Sequence, residues 1–399
     1  MTSIIAEEAK DLEGWIGQAD VHSVYHALQQ VNDTRREQGK RYPLPLVLIY
    51  LLLAKAAGET TLQATAEWIR LRADWLHEVL PQAGPRFPCA ATYSNVLRAV
   101  DPVQLNQVLM DLLTRVRASE RAEEEQRHVA LDGKTLRGTQ HHLAEDQAKM
   151  HQVSLYETQT GIVLTEHIVG DKENELSRIG EMLVPQWIKG RIVSADALHT
   201  QHAFCLGIQL AEGDYLLFAK GNQPTLQEDL RLFFREPPLD CLDWRTAQTC
   251  EKKHGRIETR ELTASTELND FLARPWSGIA QVFQVRRRVE KPLVCTQQIV
   301  YGFTSLTAAQ AGPDRLLELI RAHWRIENRL HRRRDVTLQE DACQVRKGIA
   351  PRVLAILNSF LLALFDWLGV ANVASQMRLF AARPVLAFRL FFLSLERIK

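Results

Sequence analysis

The sequence of 399 residues lacks paired cysteines, an excess of one charge and long apolar runs. Its 49 Lys and Arg residues balance 48 Asp and Glu residues, so binding to a polyanion has to come from local patches. The six cysteines are scattered without a C-x-x-C pair, which argues against a zinc knuckle or disulfide framework and favours a reducing cytoplasm. The N-terminus lacks the basic start and apolar stretch of a secretory signal, so no export is expected.

Two apolar stretches, residues 44–58 and residues 353–370, come closest to membrane spans. The first contains Pro45 and Lys55 and is shorter than the roughly 20 apolar residues that a span needs. The second is interrupted by Asp366 and by two further polar residues. Both stretches are therefore expected to be buried core helices, and no membrane partner is predicted.

The spacing of apolar residues divides the chain into three parts. Residues 1–121 repeat apolar positions every three or four residues, which predicts a helical N-terminal domain that ends near the charged run RASERAEEEQR. Residues 122–345 alternate short β-type runs with helical patterns, and β-type runs alone fill an insertion at about 235–300. Residues 346–399 are expected to form a helical C-terminal segment.

The β-type runs of the middle part predict an α/β fold with a mixed five-stranded sheet. The runs HVALD, MHQVSLYE and IVLTEHIVG follow one another closely, which favours three antiparallel strands. The runs RIVSADA and DYLLFAK each follow a helical pattern, which favours parallel pairing through crossovers. Three antiparallel strands followed by two parallel ones are therefore expected to form the sheet.

Three acidic residues stand where metal-dependent phosphodiester chemistry needs them. Asp132 in HVALDGKTLRG and Asp196 in RIVSADALHTQ end β-type runs, whereas Glu327 in RAHWRIENRLH lies in a helical pattern. Such carboxylates hold metal ions that activate the attacking oxygen and stabilise the leaving oxygen, and magnesium prefers oxygen ligands. Singly, each acid has a simpler interpretation as a turn, a cap or a surface helix residue. The strand, strand, helix order is that of an RNase H-like nuclease site.

The helical pattern around Glu327 carries further polar side chains. Spacings of four, four and three residues predict one shared helix face for His323, Glu327, His331 and Arg334. This face, together with Arg321, is expected to contact phosphates beside the scissile bond. A solvated helix end, or a zinc site made by the glutamate and the two histidines, are the alternatives.

Further residues are candidates for contacts with DNA. Trp324 can stack on an unpaired base, although a tryptophan at this helical spacing more commonly packs in the core. Three loop segments supply candidates for phosphate contacts, with an ordinary exposed loop charge as the alternative in each case. These candidates are Lys134, Arg137, Lys220, Asn222, Gln223, His254 and Arg256.

Five longer motifs resemble those of DDE-type insertion-sequence transposases, the branch that includes the H-repeat-associated proteins. They are LDGKTLRG, SADALHTQ, DYLLFAKGNQPTL, KKHGRIETR, and HWRIENRLH with DVTLQEDACQVRKG after it. The resemblance covers most of the chain and implies an RNase H-like catalytic domain, with a β-rich insertion before the glutamate and a helical domain in front. Asp132, Asp196 and Glu327 match the catalytic and metal-binding triad of that family.

The resemblance also implies cofactors and partners. Two magnesium ions, with manganese expected to substitute, would support nicking at the element's end and attack of the freed 3′-hydroxyl on target DNA. The implied partners are double-stranded DNA, as terminal inverted repeats and target, and further copies of the chain in a dimer or larger complex. A bacterial, cytoplasmic and nucleoid-associated protein is expected.

The segment HRRRD departs from the family pattern, in which a tryptophan and apolar residues commonly follow LH. This departure affects local packing after Glu327 and leaves the triad unchanged. A catalytically silent DNA-binding descendant of a transposase, and a nuclease that cuts without joining, remain the alternative functions.

Overall fold

The computed structural model describes residues 22–80, 84–117, 127–135, 151–169, 179–253, 255–292 and 294–395. These residues contain a large mixed sheet, and helices pack on both of its faces. Alternate residues of one central strand enter different apolar clusters: Tyr215 and Leu217 face one side, whereas Leu216 and Phe218 face the other. The α/β class with a mixed sheet, expected from the sequence, is confirmed.

The N-terminal part is helical, as the periodicity predicted. Its helices are α1 (Val24–Leu28), α2 (Leu44–Ala56), α3 (Leu62–Arg70), α4 (Ala73–Val79), α5 (Ala90–Ala99) and α6 (Pro102–Val116). The side chains of Ser23, Thr61 and Asp101 accept backbone N–H groups at the starts of α1, α3 and α6. Nearly every residue of α2 is buried, which confirms that the first apolar stretch is a core helix.

Nine strands form the sheet, in the spatial order β3-β2-β1-β4-β5-β9-β8-β7-β6. They are β1 (Arg127–Thr135), β2 (His151–Glu157), β3 (Val163–Val169), β4 (Arg191–Ala195), β5 (Asp214–Ala219), β6 (Arg245–Lys253), β7 (Arg256–Ser265), β8 (Gln281–Lys291) and β9 (Val294–Thr304). β1 to β3 are antiparallel, and β4 pairs parallel with both β1 and β5. The short helix α7 (Pro185–Ile188) precedes β4, and α8 (His202–Leu210) connects β4 to β5.

The β-rich insertion continues the same sheet. Its last strand, β9, pairs antiparallel with β5, so the five expected strands are one side of a larger sheet. Gly302 makes this junction possible, because a Cβ there would overlap the Leu217 carbonyl oxygen and the Phe283 ring. The helix α9 (Pro224–Arg235) precedes the insertion, and the short helix α10 (Asn269–Leu272) lies within it, between β7 and β8.

The chain after β9 is helical, and its helices from Ala350 onward share a core with the N-terminal helices. It comprises α11 (Pro313–His323), π-helical turns at Ile326–His331 and Arg333–Thr337, α12 (Ala350–Trp367), α13 (Val373–Ala382) and α14 (Pro384–Phe392). Among the described helices, α12 alone is long and apolar enough to cross a membrane, and 89% of it is buried inside the structure. Its residues pack with those of α2, α5 and α6, which confirms the expectation of a core helix.

Candidate active site

Parallel pairing brings two of the three acids to the same end of the sheet. Leu131 of β1 lies opposite Ala195 of β4. The next residue in each case is an acid, Asp132 and Asp196 respectively, and side chains at the carboxyl ends of neighbouring parallel strands converge there. Asp196 therefore follows β4 directly, as predicted, whereas Asp132 lies inside β1, which continues to Thr135 in its pairing with β2.

The third acid approaches Asp132 from the π-helical turn that follows α11. The nearest ligand atoms of Asp132, Glu327 and His331 all lie within 4.8 Å of one another. Asp132 is partly buried, Glu327 is exposed and His331 is buried. We call these three residues the ligand cluster. Asp196 does not belong to it by this measure.

The shared helix face predicted around Glu327 is present in part. Glu327 and His331 both bring ligand atoms to Asp132. From Ile326 onward the segment forms π-helical turns, whose i→i+5 hydrogen bonds depart from α-helical spacing. Glu327 is exposed, whereas His323, His331 and Arg334 are buried, and Arg334 pairs with Glu340 away from the ligand cluster.

Asp196 is held by the loop that follows β5. Lys220 Nζ lies 2.8 Å from Asp196 Oδ1. The amides of Asn222 and Gln223 donate to the Ala197 and Thr200 carbonyl oxygens, in the turn directly after Asp196. These three loop residues therefore position Asp196, which the sequence analysis did not foresee.

Asp132 and Asp196 both favour their ionised form. Burial raises the pKa of Asp132, but His331 and the Gly133 backbone N–H outweigh burial, and the pKa lies below its ordinary value. Burial also raises the pKa of Asp196, and Lys220 with the Ala197 N–H reverses that effect in the same way. Both side chains are therefore available as anionic ligands at neutral pH.

A buried hydrogen-bond chain connects the three elements that carry the acids. His128 Nε2 lies 2.7 Å from Ser194 Oγ, and Ser194 Oγ lies 2.9 Å from His323 Nδ1. Thr158 Oγ1 extends the chain at 3.1 Å from His128 Nδ1. Burial lowers the pKa of His128 to about 3, so its imidazole stays neutral. Burial also lowers the pKa of His323, although Asp132 and Asp196 act in the opposite direction.

One member of this chain lies on, or at the end of, the element that carries or precedes each acid. His128 shares β1 with Asp132, Ser194 precedes Asp196 by two residues on β4, and His323 ends the helix before Glu327. Sequence reasoning missed His128 and Ser194. Their signal was the presence of polar residues within strands that otherwise read as fully apolar.

Arg334 forms the centre of a buried ion-pair network. Its guanidinium is fully buried and donates to Glu340 Oε1 at 2.8 Å and to Gln152 Oε1 at 2.7 Å. Glu166 Oε2 lies 3.4 Å from its Nη1. Lys134 joins the network at 2.9 Å from Glu340 Oε1 and also contacts Asp335.

Four of the predicted DNA contacts are therefore corrected. Lys134 and Arg334 are buried with carboxylate partners, and His323 and His331 are buried beside the acids. Burial costs these groups access to a phosphate in this conformation. The tandem arginines of the segment HRRRD look like a surface charge run in sequence, yet one of them is internal.

Other predicted contacts remain at the surface. Trp324 is 56% exposed, which excludes the core position that its spacing favoured. The side chain of Arg256 lies 3.4 Å from Glu258, and that of Arg321 contacts Glu251. Arg137 and His254 lie outside the described residues.

Unpaired arginines flank Glu327. Arg329 and Arg332 are exposed and make no ion pair with any residue that the structure describes. By contrast, Arg325 donates to the Thr158 carbonyl oxygen and Arg333 to Asp366. The arginine-rich segment thus combines structural arginines with two that are available to an anion.

The ligand cluster fits a divalent cation. Two carboxylates and an imidazole supply oxygen and nitrogen donor atoms that all lie within 4.8 Å of one another. Neither ring nitrogen of His331 makes a hydrogen bond to any described residue. A cation would therefore satisfy polar atoms that otherwise lack a partner.

Known proteins similar to this chain include transposases. Residues 123–364 match the family described as "Transposase DDE domain", and residues 25–113 match "DDE_Tnp_1-associated". An uncharacterized protein in the dhlA 3′ region of Xanthobacter autotrophicus is 31% identical over 65% of this chain and 86% of its own length. The H repeat-associated putative transposase YhhI of Escherichia coli K12 is 27% identical over 67% of this chain and 70% of its own length.

A second putative transposase, YncI of Escherichia coli O157:H7, is 25% identical over 86% of this chain and 87% of its own length. A cryo-EM structure of a piggyBac transposase synaptic complex with hairpin DNA aligns with a TM-score of 0.41 and 11% identity, over 97% of this chain and 82% of that one. Because the DDE-domain match covers more than half of its length, the chain belongs to the transposase DDE-domain family.

Proposed function

We propose that this protein binds the terminal inverted repeats of an insertion sequence and catalyses metal-dependent cleavage and strand transfer of DNA. The observation that supports the proposal is that Glu327 lies beside Asp132 in the ligand cluster, while the register of β1 and β4 puts Asp196 next to the paired residue of the neighbouring strand. DDE transposase domains use divalent ions, and these carboxylates are suitable ligands for them. The order β3-β2-β1-β4-β5 supports an RNase H-like core, into which β6 to β9 are inserted.

The cofactor of the proposed reaction is magnesium, as two ions, with manganese able to substitute. When bound, such ions activate the attacking oxygen and stabilise the leaving oxygen. Asp132 and Glu327 would hold one ion, and Asp196 would share in holding the second. Lys220 balances the charge of Asp196 in the free protein and is free to turn to a phosphate when a cation takes its place.

The residues around the acids would bind and orient the DNA strand. Arg329 and Arg332 are exposed beside Glu327 and have no carboxylate partner among the described residues. Trp324 offers an exposed aromatic face one helical turn away, suited to stacking on a displaced base. Arg256 and Arg321 extend this positive surface along β7 and α11, so that phosphates on either side of the cut meet cations.

Each of the three parts of the chain would then have its own role in the reaction. Residues 1–121 are the proposed module for recognising the element's end, residues 122–345 the catalytic domain, and residues 346–399 a helical segment that braces both. The last role follows from α12, which packs against the helices of the first part and against β3 of the second. A dimer or larger complex on DNA is part of the proposal, because transposition joins two element ends.

The test is a cleavage assay on DNA that carries the inverted repeats flanking this reading frame. Purified protein is incubated with labelled repeat ends, a target plasmid and either magnesium or manganese. Nicks at the repeat boundary together with joined products support a transposase. Binding without nicking indicates a DNA-binding descendant, and nicking without joined products indicates a nuclease.

A further inference from the structure

We infer that His331 is a metal ligand, so that the ligand cluster is a mixed carboxylate and imidazole centre that binds Mn²⁺ more tightly than Mg²⁺. This inference rests on the proposed function and deepens it, since it assigns the nitrogen ligand and the ion class of the same site. The sequence pattern marked His331 as a DNA contact or, together with His323 and Glu327, as part of a zinc site, and it did not indicate a ligand set shared with Asp132.

The distances suit one ion. His331 Nε2 lies 3.4 Å from Asp132 Oδ2. The ligand atoms of Asp132, Glu327 and His331 are all within 4.8 Å of one another. Two ligand bonds of about 2 Å each span about 4 Å across an ion, so small side-chain rotations close the cluster around a cation.

The surroundings of His331 favour ligation over a purely structural role. The residue is only 4% exposed, and neither ring nitrogen has a hydrogen-bond partner within the described part of the chain. Buried polar groups are nearly always paired, because an unpaired one costs free energy. Its contact with Asp132, at 3.4 Å, is too long for a good hydrogen bond, so Nε2 is placed to share a cation with that carboxylate.

The backbone explains how the two helical ligands reach β1. The π-helical turn Ile326–His331 contains both Glu327 and His331, and Ile326 and Leu330 of the same turn are buried in the main core. These apolar anchors fix the rotation of the turn. π-Helical turns frequently occur at functional sites, where they change the direction of a side chain.

The donor set determines which ion the cluster prefers. Magnesium favours oxygen ligands only and keeps several waters, whereas an imidazole nitrogen suits first-row transition ions. Two carboxylates with one imidazole therefore favour Mn²⁺ over Mg²⁺, and Co²⁺ over both in the usual order of affinities. His323 is not a member of the ligand cluster, and its Nδ1 lies 2.9 Å from Ser194 Oγ in the buried chain.

The test uses the full chain without DNA, with Mn²⁺ as the probe. Electron paramagnetic resonance gives the affinity for Mn²⁺, and electron spin echo modulation reports any nitrogen bound to it. We expect nitrogen coupling in the wild type. The His331→Gln variant should lose this coupling and weaken Mn²⁺ binding by roughly 10-fold or more, with a smaller effect on Mg²⁺ competition. The matched control, His323→Gln, should retain the coupling.

The inference is overturned if wild-type protein binds Mn²⁺ in a manner that depends on Asp132 but shows no nitrogen coupling. It is equally overturned if His331→Gln keeps the coupling. Should His331→Gln fail to fold by circular dichroism, wild-type protein with ¹⁵N-labelled histidine replaces it, and an unchanged modulation pattern then contradicts histidine ligation. Since no DNA is present, failure of the proposed cleavage reaction would leave this result unaffected.

Discussion

Lys220 and Asp196 form an ion pair, with Nζ 2.8 Å from Oδ1, that ties the loop after β5 to the residue after β4. Both side chains are about half exposed, so the pair can open when a cation approaches. Of the proposed catalytic acids, Asp196 is thus paired with a lysine, whereas Asp132 lies in the ligand cluster.

Replacement of Lys220 by glutamine should therefore separate metal binding from DNA binding. Lys220→Gln removes a competitor for Asp196, so the metal concentration at half-maximal binding should fall several-fold in the absence of DNA. The same variant should weaken DNA binding and reduce the slope of affinity against salt by about one charge. Lys189→Gln, which disrupts the surface pair with Glu212, is the matched control and should change neither property.

The hydrogen-bond chain should matter to activity more than to stability. Ser194→Ala breaks the link between His128 and His323. Because the chain joins β1, β4 and α11, the elements that carry or precede the three acids, we expect nicking to slow by roughly 10- to 100-fold and the metal requirement to rise. Ser265→Ala, another fully buried serine of the same sheet, should lose a similar free energy of unfolding, about 1 kcal/mol, without the catalytic effect. Equal activity losses in the two variants would contradict a positioning role.

The neutral state of His128 predicts a pH dependence of stability. Burial lowers the pKa of His128 to about 3 in the folded protein, against an ordinary 6.5. As the pH falls below this ordinary value, the unfolded chain takes up a proton that the folded chain refuses, so stability declines. His128 should contribute about 1.4 kcal/mol per pH unit to the fall of the unfolding free energy between about pH 6 and pH 4. Denaturant titrations at several pH values give the unfolding free energy of wild type and of His128→Gln as a function of pH. The slopes of these two plots against pH should differ by that amount, and equal slopes would contradict the prediction.

Two neighbouring arginines should behave in opposite ways. Arg334→Met leaves Glu340 and Glu166 without their buried partner, so the unfolding free energy should fall by roughly 3–5 kcal/mol. Arg332→Met removes an exposed charge and should change stability by less than about 0.5 kcal/mol. The effects on DNA affinity should be reversed. Folded Arg332→Met protein should bind DNA more weakly than folded Arg334→Met protein. Urea unfolding and fluorescence anisotropy on labelled repeat DNA measure the two effects.

Much of the fold followed from patterns with a single physical cause. The helices α2 and α12 were predicted because their apolar runs are too long for strands and too short or interrupted for membrane spans. The position of Asp196 directly after β4 followed from a β-type run that stops at an acid, whereas β1 continues past Asp132 to Thr135. Catalytic roles for these acids and for Glu327 remain predictions.

The residues that were misjudged depend on contacts distant in sequence. Arg334 is internal because Gln152 and Glu166 of β2 and β3 provide its partners, and nothing near Arg334 in the chain announces them. Likewise, a periodicity of 3.6 residues cannot reveal a π-helical turn, which is stabilised here by the burial of Ile326 and Leu330. His323 and His331, which were predicted to contact DNA at the surface, are therefore buried beside the acids.

Single substitution of the three acids is the most direct measurement of the proposed reaction. Asp132→Asn, Asp196→Asn and Glu327→Gln are compared with Glu318→Gln, an exposed glutamate of α11, in the repeat-end cleavage assay with manganese. Each of the three should lose at least roughly 1,000-fold in nicking while still binding repeat DNA, because a metal ligand contributes several kcal/mol to the transition state. Glu318→Gln should cleave like the wild type. Wild-type nicking that persists in any of the three variants would contradict the proposed site.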